Sequence, residues 1–465
     1  MRLPGFLDFS WSIFYDIIKP MRTFKIITFG CKVNQYDSQL WRAALEQAGL
    51  SPSGPGQPAD MVLINTCTVT AAADQQARQS IRKCKRQNPT LRQGLRQGFD
   101  LASTCSAGPL SRGAQPGGSG QECKIIVAGC YGQVNEKAIK DIPQADLVVG
   151  RCSPENILAV LRELGLGQKS APEGIKSFSG HTRAFLKVQD GCDHRCSYCI
   201  VPLARGRSRS RELSDIMAEA ARLVGSGHKE LVLAGVRLGD FKPSLRVLLK
   251  SIHDIPGLER VRLSSLEPDD ASDDLIETLA ELPKVARHLH LPLQSGDDKI
   301  LKLMNRPYSI KYFSALLHEI NKAIPEMTFG TDIIVGFPGE GEQEFGQSYN
   351  AAKDLPLSQL HVFTYSKRPQ TKAAGMPGQI PEGIKKERSQ RLREMFAQKQ
   401  HQYWSSLSGQ RTAVLFEGQD KGEWSGLGEH YFRVSVRSDA DLRNKMLPVK
   451  LTRVNDQGLD GEIII

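Results

Sequence analysis

The sequence has no run of 18 or more apolar residues. A membrane-spanning helix needs about 20 such residues, so no span is expected. Cysteine is scarce, at ten in 465 residues. That density excludes a disulfide scaffold. The first 20 residues, MRLPGFLDFSWSIFYDIIKP, lack the clustered positive charge and small-residue cleavage site of a secretion signal. They carry Asp8 and Asp16, and Met21 opens a strand-like run directly after them. Residues 1–20 therefore read as an upstream extension, with translation starting at Met1 or Met21. Without an export signal, the thiols are expected to be reduced, cytoplasmic and available to metal. Acidic residues are also outnumbered, 51 against 61 Lys and Arg, giving a net charge of +10 and a pI near 9.0. Such a balance suits an anionic partner such as nucleic acid, or a generically soluble basic protein.

What is present begins with length, which suggests about three domains. Lys25–Phe29, Met61–Asn65 and Lys124–Ala128 read as buried strands. Helices over Ser38–Gly49 and about residues 71–86 alternate with them. Alternation of this kind argues for a parallel sheet covered by helices. Each strand runs into a cysteine: Cys31, Cys67 and Cys130. The C-terminal ends of parallel strands share one edge, where ligands bind in open α/β folds. Three thiols distant in sequence are thus expected to converge as cluster ligands. Each alone reads equally well as a small buried hydrophobe. Cys84, Cys105, Cys123 and Cys152 fit no such pattern and read as structural. Residues 88–122 contain the repeat LRQGLRQG and the stretch SAGPLSRGAQPGGSGQ. That composition predicts a disordered surface insertion, which costs little because loop-closure entropy grows slowly with length.

The densest chemistry lies in Cys192-Asp193-His194-Arg195-Cys196-Ser197-Tyr198-Cys199. Three thiols at C-x3-C-x2-C let one loop wrap an iron–sulfur cluster, leaving one iron of four open. A zinc site with His194 as fourth ligand is the alternative. Candidate strands recur over 183–188, 231–235, 260–264, 288–293, 330–335 and 360–365, separated by helical stretches. Six such units fit a partial (β/α)6 barrel, with site groups on the loops after strands. The cysteine loop follows the first. Other loops are polar: Gly330–Glu340, Gln294-Ser295-Gly296, and Ser264, Ser265, Glu267 and Pro268. His288 and His290 share one face of their strand. Arginines between 205 and 211 suit a phosphate, a carboxylate or a solvated face. A charged helix over 385–407 leads to short strands at 412–416, 431–436, 447–454 and 459–464. They suggest a small antiparallel β-barrel. Tyr431 and Phe432, with Arg433, Arg437, Arg443, Lys445, Lys450 and Arg453, would give it an RNA-binding face.

The cysteine loop resembles the signature of radical S-adenosylmethionine (SAM) enzymes. Gly30-Cys31-Lys32-Val33-Asn34-Gln35-Tyr36-Asp37-Ser38, Asn65-Thr66-Cys67-Thr68-Val69-Thr70, Gly129-Cys130-Tyr131, Leu291–Gly296 and Met304-Asn305-Arg306 extend the resemblance. Along nearly the whole chain, outside 1–20 and 88–122, it is similar to the radical SAM methylthiotransferase family. Cys31–Asp37 looks like the subgroup acting on N6-threonylcarbamoyladenosine beside the tRNA anticodon. Relatives acting on isopentenyladenosine or on a ribosomal-protein aspartate differ there and are the alternatives. A non-catalytic zinc RNA-binding protein is the alternative from another class. A radical SAM enzyme whose N-terminal cysteines are inert is a further one.

The resemblance implies an α/β multidomain chain. Its parts are an N-terminal domain over 21–165, a radical SAM core over 178–404 and a TRAM-like RNA-binding barrel over 405–465. It implies two [4Fe-4S] clusters, one on Cys31, Cys67 and Cys130, the other on Cys192, Cys196 and Cys199. It further implies SAM contacts from Gln294, Ser295, Gly336 and Pro338. The anticodon stem-loop, a sulfur donor and an electron donor of flavodoxin or ferredoxin type would be partners. Arg237 departs from the family, which more often has Asn there.

Overall fold

The computed structural model describes residues 21–87, 123–167 and 170–464. The expected 1–20 extension, the 88–122 insertion and Cys105 lie outside them. Two compact units emerge. One comprises Met1–Phe29, Trp41–Cys67 and Ala72–Pro172; the other comprises Gly30–Leu40, Thr68–Ala71 and Glu173–Ile465.

The first unit is built on a five-stranded parallel sheet. Its strands are β1 (Thr23–Thr28), β2 (Ser51–Pro52), β3 (Met61–Thr66), β4 (Lys124–Gly129) and β5 (Leu147–Val148), ordered β2-β1-β3-β4-β5. Every residue of the run MVLINT in β3 is buried. Uninterrupted β-branched and apolar residues suit a central strand covered on both faces. Ile64, Ala77, Ile81, Val127 and Tyr131 form much of its core, and Cys84 and Cys123 are buried in it as small hydrophobes. Ser51–Pro52 adds a short edge strand beside β1.

The second unit carries six parallel strands. They are β6 (Ala184–Lys187), β9 (Glu230–Ala234), β10 (Arg260–Leu263), β11 (His288–His290), β12 (Thr328–Val335) and β13 (Leu357–Thr364). Two three-stranded sheets, β10-β9-β6 and β11-β12-β13, are joined by the parallel bridges Val261↔Val285 and Ser265↔His290. Strand order thus equals chain order, which is the expected partial (β/α)6 barrel. Helices Leu213–Gly225, Leu245–His253, Asp273–Glu281, Ile310–Ala323 and Glu342–Asp354 connect the strands. Leu231, Leu233, Phe313, Leu317 and Phe329 are among the fully buried core. A two-residue pair, β7 (Gln189–Asp190) and β8 (Arg209–Ser210), brackets the cysteine loop.

Helix Glu382–Ser406 packs along β13, donating from Arg393 to the Val362 carbonyl at 2.9 Å. Beyond it, β14 (Arg411–Asp420), β15 (Glu423–Gly428), β16 (Arg433–Arg437), β17 (Met446–Asn455) and β18 (Gly458–Ile463) close a barrel. Two details differ from expectation. β15 was not foreseen, and β16 pairs with β18 in parallel, so the barrel is not wholly antiparallel.

The small barrel docks on the larger one through polar groups. Glu230, fully buried, pairs with Arg260 at 3.2 Å and Arg262 at 2.9 Å. Burial alone would raise its pKa, but Arg262, Arg260 and Arg183 pull it below the usual carboxylate range. The same arginines donate to the Leu427, Gly428 and Glu429 carbonyls. Tyr431 stacks on His288 with centroids 5.0 Å apart, and Phe432 is buried. Neither ring is therefore free to stack on RNA, contrary to the sequence expectation. The cations Arg437, Arg443, Lys445 and Lys450 are exposed.

Candidate active site

Gly191 opens the cysteine loop at φ 76°, a left-handed conformation that suits glycine. A Cβ there would lie 2.0 Å from the Arg207 carbonyl oxygen. Leu303–Arg306 holds the loop from below. The Ser197 amide donates to the Met304 carbonyl at 3.0 Å, and Asn305 Nδ2 donates to the Arg195 carbonyl at 3.0 Å. Arg306 Nη1 donates to Cys196 Sγ at 3.3 Å, and Nε donates to the Tyr308 hydroxyl at 2.9 Å. Glu267 pairs with the remaining Arg306 nitrogen. The His194 amide donates to Cys192 Sγ at 3.4 Å. The motif Met304-Asn305-Arg306 is thus the brace of the cysteine loop, with Glu267 its counter-charge.

Cys199 opens into a cavity of about 210 Å³ that Gln294, Asp332, Ile334 and Tyr198 also line. Gln294 adopts φ 69°, bonded through its amide to the Asp332 carbonyl at 2.8 Å. Non-glycine residues held at positive φ concentrate at functional sites. Ser295 is fully buried, its hydroxyl 3.2 Å from that of Ser348. The Gly336 amide donates to Glu340 at 2.8 Å, and Pro338 is buried in the same turn. Burial pushes the Glu340 carboxyl up to about 7, although Gly336 and Arg388 favour its charge. Of the four residues expected near SAM, Gln294 faces the cavity. The other three form the packed turns behind it.

Several expected contacts go elsewhere. Arg205 is 3% exposed and pairs with Asp37 at 3.1 Å and Asp190 at 2.9 Å. Arg211 pairs with the fully buried Glu219 at 2.6 Å, and Glu219 also accepts from the Tyr36 hydroxyl at 3.0 Å. Those two arginines are held by buried carboxylates; Arg207 and Arg209 are exposed. Arg237 is buried against Asp269 at 2.8 Å and Asp270 at 2.7 Å. Sequence reasoning missed Asp332 as a residue lining the Cys199 cavity. The signal available was alternation along β12, read with its register.

In the first unit, Cys67 and Cys130 directly follow the registered pair Thr66↔Gly129 and are buried. β1, β3 and β4 are neighbours, so their C-terminal ends share one edge. Cys31, exposed, lies three residues past β1, just before helix Lys32–Gln47, and belongs to the second unit. Cys152 is buried.

A radical SAM superfamily model matches residues 186–352, and a model described as uncharacterized protein family UPF0004 matches residues 23–96. The threonylcarbamoyladenosine tRNA methylthiotransferase MtaB of Bacillus subtilis is 32% identical over 469 residues, spanning 96% of this chain and 97% of that protein. This chain belongs to the radical SAM methylthiotransferase family.

The MtaB protein of Chlamydia pneumoniae is 34% identical to this methylthiotransferase, across 95% of this chain and 98% of that protein. The tRNA-2-methylthio-N(6)-dimethylallyladenosine synthase of Carboxydothermus hydrogenoformans is 32% identical, across 95% and 99%. Among solved structures, the radical SAM methyltransferase TsrM of Kitasatospora setae superposes with a TM-score of 0.53 at 13% identity, covering 77% of each chain. That likeness concerns the fold.

Methylthiotransferases of this family work with SAM and two [4Fe-4S] clusters. The cysteine loop fits such a group. Among the described residues, a single set of three His, Cys, Asp or Glu converges within 4.8 Å, and it holds no cysteine. Tetrahedral zinc, with Zn–S bonds of about 2.3 Å, needs sulfurs about 3.8 Å apart. Cys192, Cys196 and Cys199 do not form such a set, so their sulfurs are not gathered for one zinc ion. Burial pushes the Cys199 thiol up to about 12, with Cys196 and Cys192 adding to it. A bound cationic metal centre reverses that penalty by taking the thiolate. The N–H donors of Arg306 and His194 already point at the sulfurs, as around iron–sulfur sites. Membership of the radical SAM methylthiotransferase family supports the cluster over the zinc-binding, non-catalytic alternative.

Proposed function

We propose that this methylthiotransferase places a methylthio group on carbon 2 of N6-threonylcarbamoyladenosine next to the anticodon of tRNA. The reading is carried by near-full-length similarity to proteins of that named activity, 32–35% identical. Cys192, Cys196 and Cys199 would hold the SAM-binding cluster. Cys31, Cys67 and Cys130 are the ligands of the auxiliary cluster. When bound, the first cluster supplies the electron that cleaves SAM to a carbon radical able to attack an aromatic C–H bond. The chain's own part is to hold and aim. Gln294, on the lining of the Cys199 cavity, would contact SAM there, supported by Ser295, Gly336 and Pro338. The apolar lining of Ile200, Val201, Ile334 and Phe363 excludes water from the reacting atoms. The exposed cations of the C-terminal barrel meet the phosphates of the anticodon stem-loop. A flavodoxin- or ferredoxin-type protein delivers electrons, and a separate donor restores sulfur. A tRNA substrate favours a reaction in the cytoplasm. Among the described residues, no helix is long and apolar enough to cross a membrane.

The dimethylallyladenosine synthases, 31–32% identical over comparable lengths, make that nucleoside the second reading. The test uses anaerobically reconstituted protein and two stem-loop RNAs, one threonylcarbamoylated and one isopentenylated. Methylthio product on the first alone supports the proposal; product on the second alone overturns it. Iron analysis of a Cys31/Cys67/Cys130→Ala variant checks the ligand assignment. About half the wild-type iron is expected, since one of two four-iron clusters remains. Unchanged iron sinks the auxiliary assignment.

A further inference from the structure

The Cys199 cavity has one carboxylate on its lining, Asp332. Its oxygen lies 3.1 Å from His290 Nε2. His290, Asp332 and His361 each bring a polar atom within 4.8 Å of the others. The two imidazole centroids are 5.6 Å apart. Strand register produces this group, because Asp332 on β12 stands opposite His361 on β13. Gly330 makes room for it: a Cβ there would crowd His290 Nδ1 at 3.1 Å and His288 Nε2 at 3.2 Å.

A cation completes the set. Lys32 Nζ sits 6.0 Å from the centroid of the Tyr431 ring, which itself stacks on His288. No ion pair among the described residues uses Lys32. Burial, then His290 and Lys32, push the His361 imidazole below its ordinary pKa, with Asp332 opposing them. The His361 imidazole, and the Lys32 ammonium whose charge it feels, offer a hydrogen bond and a charge to an anion bound next to Asp332.

This deepens the proposed function and rests on it. A threonylcarbamoyl group carries ureido N–H donors, a hydroxyl and a carboxylate; an isopentenyl group has none of these. Apolar atoms placed against Asp332, His361 and Lys32 would strip them of water without replacement, which is costly. We propose that Lys32 and His361 form the subsite for the threonyl carboxylate, with Asp332, oriented by His290, accepting from the hydroxyl or a ureido N–H. Two histidines and a carboxylate are also a metal donor set. The ammonium of Lys32 beside them disfavours a cation and favours an anion.

The experiment compares two anticodon stem-loops that differ in one group, the threonyl carboxylate or its primary amide. The readout is the ratio of their kcat/KM values for methylthio product. Taking the ratio within one preparation cancels differences in cluster loading. Wild type should prefer the carboxylate by about 10- to 100-fold, the scale of one or two charge-assisted hydrogen bonds. Lys32→Gln and His361→Phe should each bring the ratio to within about threefold of unity, and Lys32→Arg should keep most of it. Where a variant no longer turns over, competition binding of the two RNAs gives the same ratio. Ratios unchanged in Lys32→Gln and His361→Phe overturn the subsite alone. Wild type inactive on the threonylcarbamoyl RNA but active on the isopentenyl one overturns the function itself. Stoichiometric zinc or manganese that disappears in His361→Phe gives the site to a metal ion instead.

Discussion

Asp37→Asn tests how the segment bearing Cys31 and Lys32 is held. Asp37 is 2% exposed. One oxygen accepts from Lys187 Nζ at 2.5 Å, the other from Arg205 Nη2 at 3.1 Å. An amide keeps the shape but removes the charge, and its NH2 turns two donors toward one of the cations. Breaking a buried ion pair costs about 3–5 kcal/mol. Asp190 stays in place, 2.9 Å from Arg205 and 3.4 Å from Lys187, and retains part of the compensation. The net loss should therefore be about 2–3 kcal/mol. Opening of residues 32–40 should become roughly 30- to 150-fold more favourable, which amide hydrogen exchange reads directly. Iron per chain should fall toward half, because Cys31 loses its support while the Cys192 loop keeps its own. Pairing the change with Lys187→Met, which removes one uncompensated cation, should restore part of the protection. Exchange within threefold of wild type with full iron would refute the reasoning.

Three further outcomes follow from the same coordinates. Gly191→Ala puts a Cβ 2.0 Å from the Arg207 carbonyl at a positive φ. It should cost more than about 2 kcal/mol, because αL strain of about 1–2 kcal/mol adds to the clash; a variant with normal iron and melting temperature would contradict this. Asp190 titrates unusually low: burial would raise its pKa, but Arg205 and Lys187 hold it at about 2. Its folded pKa lies below the unfolded value of about 3.9, so its stabilisation is complete above that pH and lost as pH falls toward 2. Asp190→Asn should thus weaken the urea midpoint at pH 7 and flatten its acid limb, and an unchanged slope between pH 4 and 2 would rule this out. Tyr431→Ala removes a ring stacked on His288 and faced by Arg262 at 5.0 Å. Undocking of the C-terminal barrel should ease by about 2–4 kcal/mol, visible as faster proteolysis near residues 405–411; unaltered cleavage would show the ring does not secure the barrel.

The residues legible in the sequence were those whose neighbours hardly matter. Runs such as MVLINT and KIIVAG bury themselves in any parallel sheet, so the sheet of the first unit and the six barrel strands could be read directly. EWSGLG in β15 could not, because it neither alternates nor runs apolar. Its Gly426 is there to let backbone approach: a Cβ would meet the Leu415 carbonyl at 2.5 Å. The first helix shows the deeper limit. Its apolar face suggested a start at Ser38, yet it begins at Lys32. The added turn buries Asn34 and Asp37, polar residues that no periodicity marks as core. What buries them is Lys187 and Arg205, 150 and 168 residues away. The same partnership explains why arginines in the run 205–211 were read as a ligand site. A sequence displays cations without showing which carboxylates already hold them. His361 is the converse case. Alone on a strand it looks incidental, and only its register opposite Asp332 brings it into one group with Asp332 and His290. Specificity for a charged nucleoside substituent would then depend on pairings between strands, which is why the cluster-binding loop could be found by spacing and the substrate-binding side of the barrel could not.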